Sequence, residues 1–452
     1  MVEQTNASPG KARKPQVLKG FRDHLPGQMI LRQRVMAIVR EVFERHGFEP
    51  LDTPAIEYLE VLSGKAGENE KLMYHFADQG EREVGLRYDL TVPLARVVAM
   101  HQNDLVLPFK RYHMAPVWRS EKPQRGRFRE FWQCDADIVG SPSMLADAQV
   151  VSVMIDALGA IGLPSVTIRI NHRKLLESLA RAAGVPDAQA VGVYRIIDKL
   201  DKIGGAAVVA ELERSGMSAS AAERVLDLVG RTGKPDDVLH VLREDLEGIP
   251  GATEAVDQLA DLFGYLHELG VPADRYALDL ALARGLDYYT GPVFEATVEE
   301  PKVGSVAGAG RYDDLIGTFL GRTVPATGMS LGLERIIEVV EQFSLLPGRS
   351  SVADVFVPAF PDAIAAGATI TTILRGAGLH VDQSVQSQRS VGEQLKYAGR
   401  KEVPVAVIVG AAEAEAGVCN VKDLRTGVQE TCPRDQVVDQ VLSLLARAES
   451  GT

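Results

Sequence analysis

The chain has 452 residues, enough for about three domains, and its 46% hydrophobic and 24% charged composition excludes wholesale disorder. Its net charge of −12 argues against a protein coated in nucleic acid, although the cationic segment 110–130 is suited to binding a polyanion at one place. No apolar run approaches the roughly 18 residues of a membrane span, and the three cysteines form no CxxC pair. We therefore expect no membrane contact, no metal site built from protein ligands, and a reducing, cytoplasmic location.

Helical and strand-like patterns follow one another in the first 170 residues. Apolar side chains at helical spacing predict a helix that ends at Gly47. Alternation of apolar and polar residues predicts two long strands joined by a polar turn over 120–126. The predicted elements are a helix over 29–47 and strands over 48–51, 104–119, 127–139 and 165–170.

The character of the sequence changes after Asn171, where short amphipathic helical stretches predominate up to about Gly270. Strand-like sequence then returns, and 344–351 is a plausible linker. The last hundred residues predict a compact α/β module of three strands alternating with helices, followed by another strand and a terminal helix. Between the helical segment and the linker, we predict strands over 276–282 and 293–298, a glycine-rich turn over 304–310 and a helix over 332–343.

The second strand of the long hairpin has two different faces, because alternate residues of a strand share a side. Its even positions are largely apolar and predict the core-facing side, whereas its odd positions carry guanidinium groups, an amide and carboxylates. Water covers many such polar faces, but arginine forks match phosphate oxygens in pairs, so this face indicates polyanion binding. The odd residues are Arg127, Arg129, Phe131, Gln133, Asp135, Asp137 and Val139.

The hairpin also resembles motif 2 of class II aminoacyl-tRNA synthetases, with the sequence VWRSEKPQRGRFREFWQCDADIVG at 117–140. The resemblance extends from about Lys19 to the C-terminus, and its motifs occur in the right order. The other matching segments are GFEPLDTPAIE (47–57, motif 1), LRYDLTVPLAR (86–96, amino-acid binding), RGLDYYTGPVFE (284–295) and AGAGRYDDLIG (307–317), both particular to histidyl-tRNA synthetases, and GMSLGLERI (328–336, motif 3).

The resemblance implies an α+β fold in which a class II antiparallel-sheet catalytic domain carries a helical insertion and is followed by a C-terminal α/β anticodon-binding domain. It also implies a homodimer, through motif 1 and the long helix before it. The expected organisation is a flexible tail (1–18), the first part of the catalytic core (19–170), the insertion (171–270), the second part of the core (271–345) and the anticodon-binding domain (352–452).

The resemblance further implies that ATP, a substrate, is gripped by arginines, since the chain has no GxxxxGK[ST] loop. Arg119 matches the family's α-phosphate arginine and Glu121 an acidic residue near adenine. Arg127 matches the γ-phosphate arginine, and Arg335 holds ATP from the other side. Arg284 matches the arginine that touches the substrate carboxylate and α-phosphate, so Arg284 and Arg119 are the expected catalytic residues. Magnesium is expected to bind through the phosphates.

Histidine recognition by this family implies contacts to both ends of the amino acid. A carboxylate and a phenol suit the imidazole, which offers one donor and one acceptor. Alternatives remain at four positions. Asp89 is also placed to cap a helix opening at Thr91, and Tyr289 is also suited to the core. Arg284 is also placed to cap a strand, and Arg335 also suits an ordinary helix surface. The implied residues are Asp89, Thr91 and Gln133 for the α-amino group, Asp137 and Tyr289 for the imidazole, Tyr312 in the pocket wall and Arg284 at the carboxylate.

The resemblance implies histidine tRNA as the macromolecular partner. The turn of the hairpin approaches the acceptor end in this family, which makes Gln124 and Arg125 candidate contacts. The activity implied is attack of histidine on ATP to give histidyl-adenylate, followed by transfer of the histidyl group to tRNA. Two alternatives are a catalytically inactive, synthetase-like regulatory subunit of ATP phosphoribosyltransferase and a nucleic-acid-binding or kinase-associated sensor, although the intact arginines and the C-terminal module disfavour both.

Overall fold

A computed structural model gives the fold of the chain and describes residues 14–63, 71–124, 126–163, 166–283, 288–298, 300 and 303–449. The chain divides into two compact units. The first comprises the residues up to Asp23 together with Val35–Leu346, and the second comprises His24–Arg34 and the chain from Pro347 onward.

Strands of the first unit form a large sheet and a small one, and those of the second unit form a third sheet. The strands are β1 (Glu49–Pro50), β2 (Ile56–Tyr58), β3 (His75–Ala77), β4 (Glu83–Leu86), β5 (Phe109–Trp118), β6 (Glu130–Val139), β7 (Ile168–His172), β8 (Tyr276–Leu278), β9 (Pro292–Val298), β10 (Gly304–Arg311), β11 (Ala326–Gly332), β12 (Val355–Val357), β13 (Val381–Gln383), β14 (Val405–Ile408), β15 (Val418–Asp423) and β16 (Gln429–Pro433).

Helices precede, interrupt and follow these strands. The α-helices are α1 (Pro26–Arg45), α2 (Leu59–Leu62), α3 (Thr91–Met100), α4 (Met144–Ile161), α5 (Arg173–Ala182), α6 (Asp187–Ile197), α7 (Leu200–Ile203), α8 (Gly205–Arg214), α9 (Ala219–Val229), α10 (Pro235–Asp245), α11 (Ala252–Glu268), α12 (Gly317–Leu320), α13 (Leu333–Phe343), α14 (Ile364–Gly376), α15 (Val391–Arg400), α16 (Ala411–Ala416) and α17 (Val437–Glu449).

The large sheet has the strand order β1-β5-β6-β11-β10-β9-β7-β8 among the described residues. Its middle is antiparallel, and only the pairs β1–β5 and β7–β8 at its two ends are parallel. The predicted hairpin forms β5 and β6, which pair from Phe109 to Trp118, so the first strand begins five residues later than expected. The antiparallel sheet with added helices confirms the predicted α+β fold class.

The prediction of a glycine-rich turn over 304–310 is wrong, because these residues form β10, an inner strand of the large sheet. Glycine weakens the interior of a strand, and it often marks a place where another group approaches the backbone closely. A side chain at Gly310 would place its Cβ 2.7 Å from the ring of Tyr289, and one at Gly328 of neighbouring β11 would lie 1.9 Å from Asp137 Oδ1. The glycines therefore make room for two bulky or charged side chains.

The prediction that no apolar run approaches the length of a membrane span is wrong for α4, the one helix among the described residues that is long and apolar enough to cross a membrane. Two thirds of its residues are buried, and it packs against β11 and α11. Its apolar character is therefore accounted for by its position in the core of the first unit. The helices α5 to α11 also group with this unit, so a separate insertion domain over 171–270 stays a prediction.

In the second unit the sheet order is β13-β12-β14-β15-β16. The predicted strand–helix alternation is confirmed, but the end of the module contains a hairpin, β15–β16, where a single strand was expected. Helix α15 begins with a reciprocal capping box between Ser390 and Glu393. The buried amide of Gln394 donates to Ala359 O and accepts from Ala359 N, both at 2.9 Å, which fixes α15 against the end of β12.

Candidate active site

The first unit contains a cavity of about 320 Å³ over the middle of the large sheet. This volume is in the range of small-molecule sites. Strands β6, β9, β10 and β11 form its floor, and the starts of α3 and α13 contribute to its wall. The sequence-predicted residues that line it are Asp89, Thr91, Arg119, Glu121, Arg127, Gln133, Asp137, Tyr289, Tyr312 and Arg335.

Three other predicted residues do not line this cavity or cannot be assessed. Gln124 is exposed outside it, in a tight turn where its backbone pairs with that of Arg127 through bonds of 3.1 and 2.9 Å. Arg125 and Arg284 lie outside the described residues. The roles expected for those two arginines stay predictions.

One end of the cavity is cationic. Arg119 is half-buried, and its Nε donates to Tyr88 O at 2.9 Å. Its guanidinium carbon lies 5.2 Å from the centre of the Phe131 ring, at cation–π distance. This anchoring leaves both Nη groups without a hydrogen-bond partner among the described residues, so they can serve an anionic ligand.

Two further arginines reach the same end from the hairpin turn and from α13. Arg127 is exposed and pairs with Glu121, its Nη1 lying 3.4 Å from Oε2. Arg335, in the first turn of α13, donates to Ser305 O of β10. Gly126 has a φ of +67°, and a Cβ there would lie 3.4 Å from Arg335 Cγ, so glycine lets the turn approach α13 closely.

The other end of the cavity is acidic and phenolic. Asp137 is 2% exposed and leans over Gly328 of the adjacent strand. Its Oδ1 accepts a hydrogen bond from Tyr312 OH, and its Oδ2 lies 2.8 Å from Nη2 of Arg111. The contact with Arg111 is an ion pair by distance, without the alignment of a hydrogen bond.

Asp89 has both of the roles that its sequence position allows. Its Oδ1 accepts from Val92 N at 3.0 Å and so caps α3, as the simpler interpretation predicted. Its Oδ2 is buried without a hydrogen-bond partner among the described residues, although the residue lines the cavity. A cationic or N–H donor ligand would satisfy that oxygen.

Gln133 presents one defined end of its amide to the cavity. Its Nε2 donates to Ser330 Oγ at 2.8 Å, while its Oε1 is buried without a partner among the described residues. The free group is therefore an acceptor, which suits an ammonium ligand and not an anion.

Burial dominates the ionisation of the acidic end. It raises the pKa of Asp89, where the Val92 N–H, Arg119 and Arg111 counteract the rise. It also raises the pKa of Asp137, where Arg111 counteracts the rise. Burial raises the pKa of Asp135, which neighbours this end on β6, to about 8. Burial also raises the pKa of the Tyr289 and Tyr312 phenols, so both remain protonated donors at neutral pH.

Three tyrosines form the apolar side of the acidic end. The ring of Tyr288 contacts those of Tyr289 and Tyr312 edge to face, with centroids 5.1 and 5.9 Å apart. These rings pack on the buried cluster that contains Tyr88 and Leu315. The expected core role of Tyr289 and its position in the cavity wall are thus compatible.

Sequence reasoning missed several groups at the site. Arg111 was noticed only as part of a basic segment, and Ser330 only as part of a motif, because their contacts depend on the pairing of β6 with β5 and β11. Phe128, an even position that alternation places on the core-facing side, lines the cavity. Strand β6 begins at Glu130, so alternation does not apply to Phe128 or to Arg129, which bonds to Glu121 O and Lys19 O.

A family model described as histidyl-tRNA synthetase matches residues 20–336, and one described as anticodon binding domain matches residues 355–444. A histidine–tRNA ligase from Aeropyrum pernix is 44% identical over 443 residues, covering 96% of this chain and 99% of the relative. The crystal structure of a histidyl-tRNA synthetase from Nostoc sp. PCC 7120 matches with a TM-score of 0.85 and 34% identity, covering 96% of this chain and 100% of that one.

The crystal structure of an ATP phosphoribosyltransferase regulatory subunit/histidyl-tRNA synthetase from Bacillus halodurans C matches with a TM-score of 0.73 and 22% identity. It covers 89% of this chain and 100% of that chain. At this identity the match demonstrates a shared fold alone, and it carries no conclusion about activity.

Proposed function

The chain belongs to the histidyl-tRNA synthetase family, and from this we infer that it is a histidine–tRNA ligase. The observation that carries the proposal is the polarity of the cavity. Its cationic end suits the phosphates of ATP, and its acidic and phenolic end suits histidine. Both substrates would then meet in one cavity.

We assign Arg119 to the α-phosphate, Arg127 to the γ-phosphate and Arg335 to the opposite side of ATP. The histidine carboxylate attacks the α-phosphorus, a new O–P bond forms, and the bond to the β-phosphate oxygen breaks to release pyrophosphate. A carboxylate approaching an anionic phosphate needs fixed positive charge, which pre-positioned guanidinium groups supply without reorganisation. Arg119 is already held by Tyr88 O, which supports this role. Glu121 is assigned to the adenine side, and Arg284 to the carboxylate and α-phosphate by resemblance.

We assign the acidic end to the two polar ends of histidine. The free oxygens of Asp89 and Gln133 accept from the α-ammonium, with Thr91 beside them. Asp137 accepts from the ring N–H, Tyr289 serves the other ring nitrogen, and Tyr312 holds Asp137 in place. A site that hydrogen-bonds a ring in this way rejects analogues lacking those groups by roughly 10⁴–10⁵.

Magnesium is proposed to enter with ATP. Among the described residues no group of three His, Cys, Asp or Glu side chains forms a protein metal site. At the cationic end, the carboxylates of Glu121 and Glu334 are already bonded to Arg127 and to Trp132 N. A donor set of this kind fits an ion held mainly by phosphate oxygens, with these carboxylates nearby. When bound, the ion supplies further charge neutralisation on the phosphates.

In the second step a hydroxyl of the 3′-terminal ribose of histidine tRNA attacks the carbonyl of the adenylate. A new ester bond forms, the bond from the carbonyl carbon to the phosphate oxygen breaks, and AMP leaves. We assign Gln124 and Arg125 in the hairpin turn to the acceptor end, and the second unit to the anticodon. The exposed basic side chains of α15 support the second assignment, because phosphate contacts dominate the affinity for nucleic acids.

We further propose that the protein is a cytoplasmic homodimer. The motif 1 resemblance supports the dimer, as does the position of β1 at the edge of the large sheet, where its outer side is unpaired among the described strands. The three cysteines, with no disulfide framework, support a reducing compartment.

The regulatory-subunit alternative is not adopted. The resemblance to the Bacillus halodurans structure extends to the fold alone, whereas the 44% identity to a histidine–tRNA ligase spans nearly the whole chain. The C-terminal match to an anticodon-binding domain is also unexplained by that alternative.

Amino-acid-dependent pyrophosphate exchange tests the proposal. The purified protein should incorporate labelled pyrophosphate into ATP only when histidine is present, and the other amino acids serve as controls. Exchange without amino-acid dependence, or exchange driven by a different amino acid, would refute the assignment.

A further inference from the structure

A buried guanidinium beneath the acidic end has no role in the assignments above. Arg111 of β5 is 0% exposed and lies directly opposite Asp137 in the register of β5 and β6. Its Nη2 is 2.8 Å from Asp137 Oδ2 and also donates to Leu90 O at 3.1 Å. One guanidinium nitrogen therefore lies against Asp137 at the imidazole end and bonds to the backbone between Asp89 and Thr91.

The contact with Leu90 connects Arg111 to the α-amino end of the pocket. Asp89 and Thr91, both assigned to the α-amino end, are its chain neighbours, and Leu90 itself is fully buried at the start of α3. Asp137 belongs to the imidazole end. Arg111 thus spans from the β6 carboxylate to the α3 backbone and fixes the distance between the two ends.

The bonding of Arg111 is unlike that of a purely structural buried arginine. Its Nε and Nη1 have no hydrogen-bond partner among the described residues. By contrast, Arg311 is also buried, and its three nitrogens bond to Asp147, Asp313 and two backbone carbonyls. A buried donor left without a partner is costly, so its retention calls for a function other than hydrogen-bonding the scaffold.

The positive charge of Arg111 acts on the buried carboxyl groups around it. Three buried carboxyl groups, those of Asp89, Asp135 and Asp137, lie within the field of Arg111, which opposes the effect of burial on each of them. Without a cation, such groups take up protons and cease to be pure acceptors. Arg119 also acts on Asp89 and Arg87 on Asp135, but Arg111 is the cation that opposes burial at all three carboxyls. The unpartnered Oδ2 of Asp89 still provides acceptor capacity that a ligand carrying an ammonium group would fill.

We propose that Arg111 is a positioning and specificity-determining residue that sets the charge and the spacing of the two carboxylates reading the two ends of histidine. This inference rests on the proposed function, because it assumes that histidine occupies the acidic end. It predicts that Arg111 governs the affinity for histidine and leaves the ATP end unaffected.

The test compares Arg111→Met with Arg231→Met in the pyrophosphate exchange assay. Arg231 pairs with Asp245 at 2.5 Å in the same unit and does not line the cavity, so it controls for loss of a half-buried ion pair. Arg111→Met should raise the KM for histidine on the order of 10- to 100-fold and leave the KM for ATP unchanged. Arg231→Met should lower Tm and change neither KM. A histidine KM unchanged in Arg111→Met would overturn the inference.

A double-mutant cycle with Asp137→Asn tests whether Arg111 acts through the carboxylate. If it does, Arg111→Met should raise the histidine KM less in the Asp137→Asn background than in the wild type, because one of its two carboxylate partners is already lost. Independent, multiplicative effects would contradict the mechanism. Arg111→Lys, which keeps the charge but loses the fork, should give an intermediate histidine KM and provides the same test if Arg111→Met does not fold.

Different results would contradict the proposed function and the role of Arg111. If the wild-type protein shows no histidine-dependent exchange, the proposed function is wrong. If the wild type activates histidine while both Arg111 variants retain its histidine KM, only the role of Arg111 is wrong.

Discussion

Replacing Gly328 by alanine perturbs the imidazole end of the pocket directly. The new Cβ would lie 1.9 Å from Asp137 Oδ1 and 2.4 Å from its Cγ. Contacts under 3.0 Å are not tolerated, so the oxygen must move by at least 3.0 − 1.9 = 1.1 Å. That oxygen accepts the hydrogen bond from Tyr312. A shift of this size takes an O–H···O bond out of its normal range of about 2.5–3.0 Å.

The expected consequence is a loss of histidine affinity. Hydrogen bonds to charged groups contribute about 1.5–3 kcal/mol, which corresponds to a rise in KM of roughly 10- to 150-fold. ATP contacts should be unaffected, because the displaced carboxylate lies at the other end of the cavity. Pyrophosphate exchange at varied histidine and varied ATP separates the two effects, and thermal unfolding tests that the variant is folded.

Gly332→Ala is the matched control. It changes the same residue type in the same strand, but the nearest atom to its new Cβ is Val306 O at 3.7 Å, an ordinary contact. A folded Gly328→Ala protein with a wild-type histidine KM would refute the reasoning. An equal rise in Gly332→Ala would also refute it.

Three further predictions concern the arginine of the 284–295 segment, the second unit and the buried carboxyl of β6. Arg284→Ala should slow adenylate formation by roughly 10³–10⁵ while the KM for ATP changes less, and wild-type exchange would remove Arg284 from the mechanism. Charge reversal of the exposed Lys396 and Arg400 should raise the KM for tRNA and flatten its salt dependence, with histidine-dependent exchange unchanged; an equal loss of both activities would contradict anticodon binding. Asp135, whose pKa is raised to about 8 in the fold from an ordinary 3.8, binds a proton that the unfolded chain releases, so stability falls as pH rises between these values. Asp135→Asn should lack this slope, up to about 1.4 kcal/mol per pH unit, so its Tm advantage over the wild type should grow from pH 5 to 8; parallel curves would count against the raised pKa.

Much of the fold could be predicted because the hydrophobic pattern is local. Alternation identified β5 and β6, and helical spacing identified α1 and α13, with errors confined to their ends. The glycine-rich segment was assigned wrongly because glycine has no pattern of its own. Gly310 of β10 leaves room for the ring of Tyr289, and the local sequence does not reveal that this ring lies next to it.

The sequence predicted the site residues that belong to recognisable motif positions and missed those whose contacts depend on strand pairing. Resemblance supplied ten of the residues that line the cavity, because motif matches assign roles to residues without needing their geometry. It could not supply Arg111 or Ser330, whose contacts arise only when β6 is paired with β5 on one side and β11 on the other. Nor could it reveal that Asp137 crosses a glycine of the next strand to reach Tyr312.

A crystal structure with ATP and L-histidinol, an analogue that keeps the ammonium and the imidazole, tests the two-ended cavity most directly. The triphosphate should lie within hydrogen-bond distance of Arg119, Arg127 and Arg335, with the imidazole against Asp137 and the ammonium near Asp89 and Gln133. A nucleotide bound away from these arginines, or an imidazole directed away from Asp137, would contradict the account.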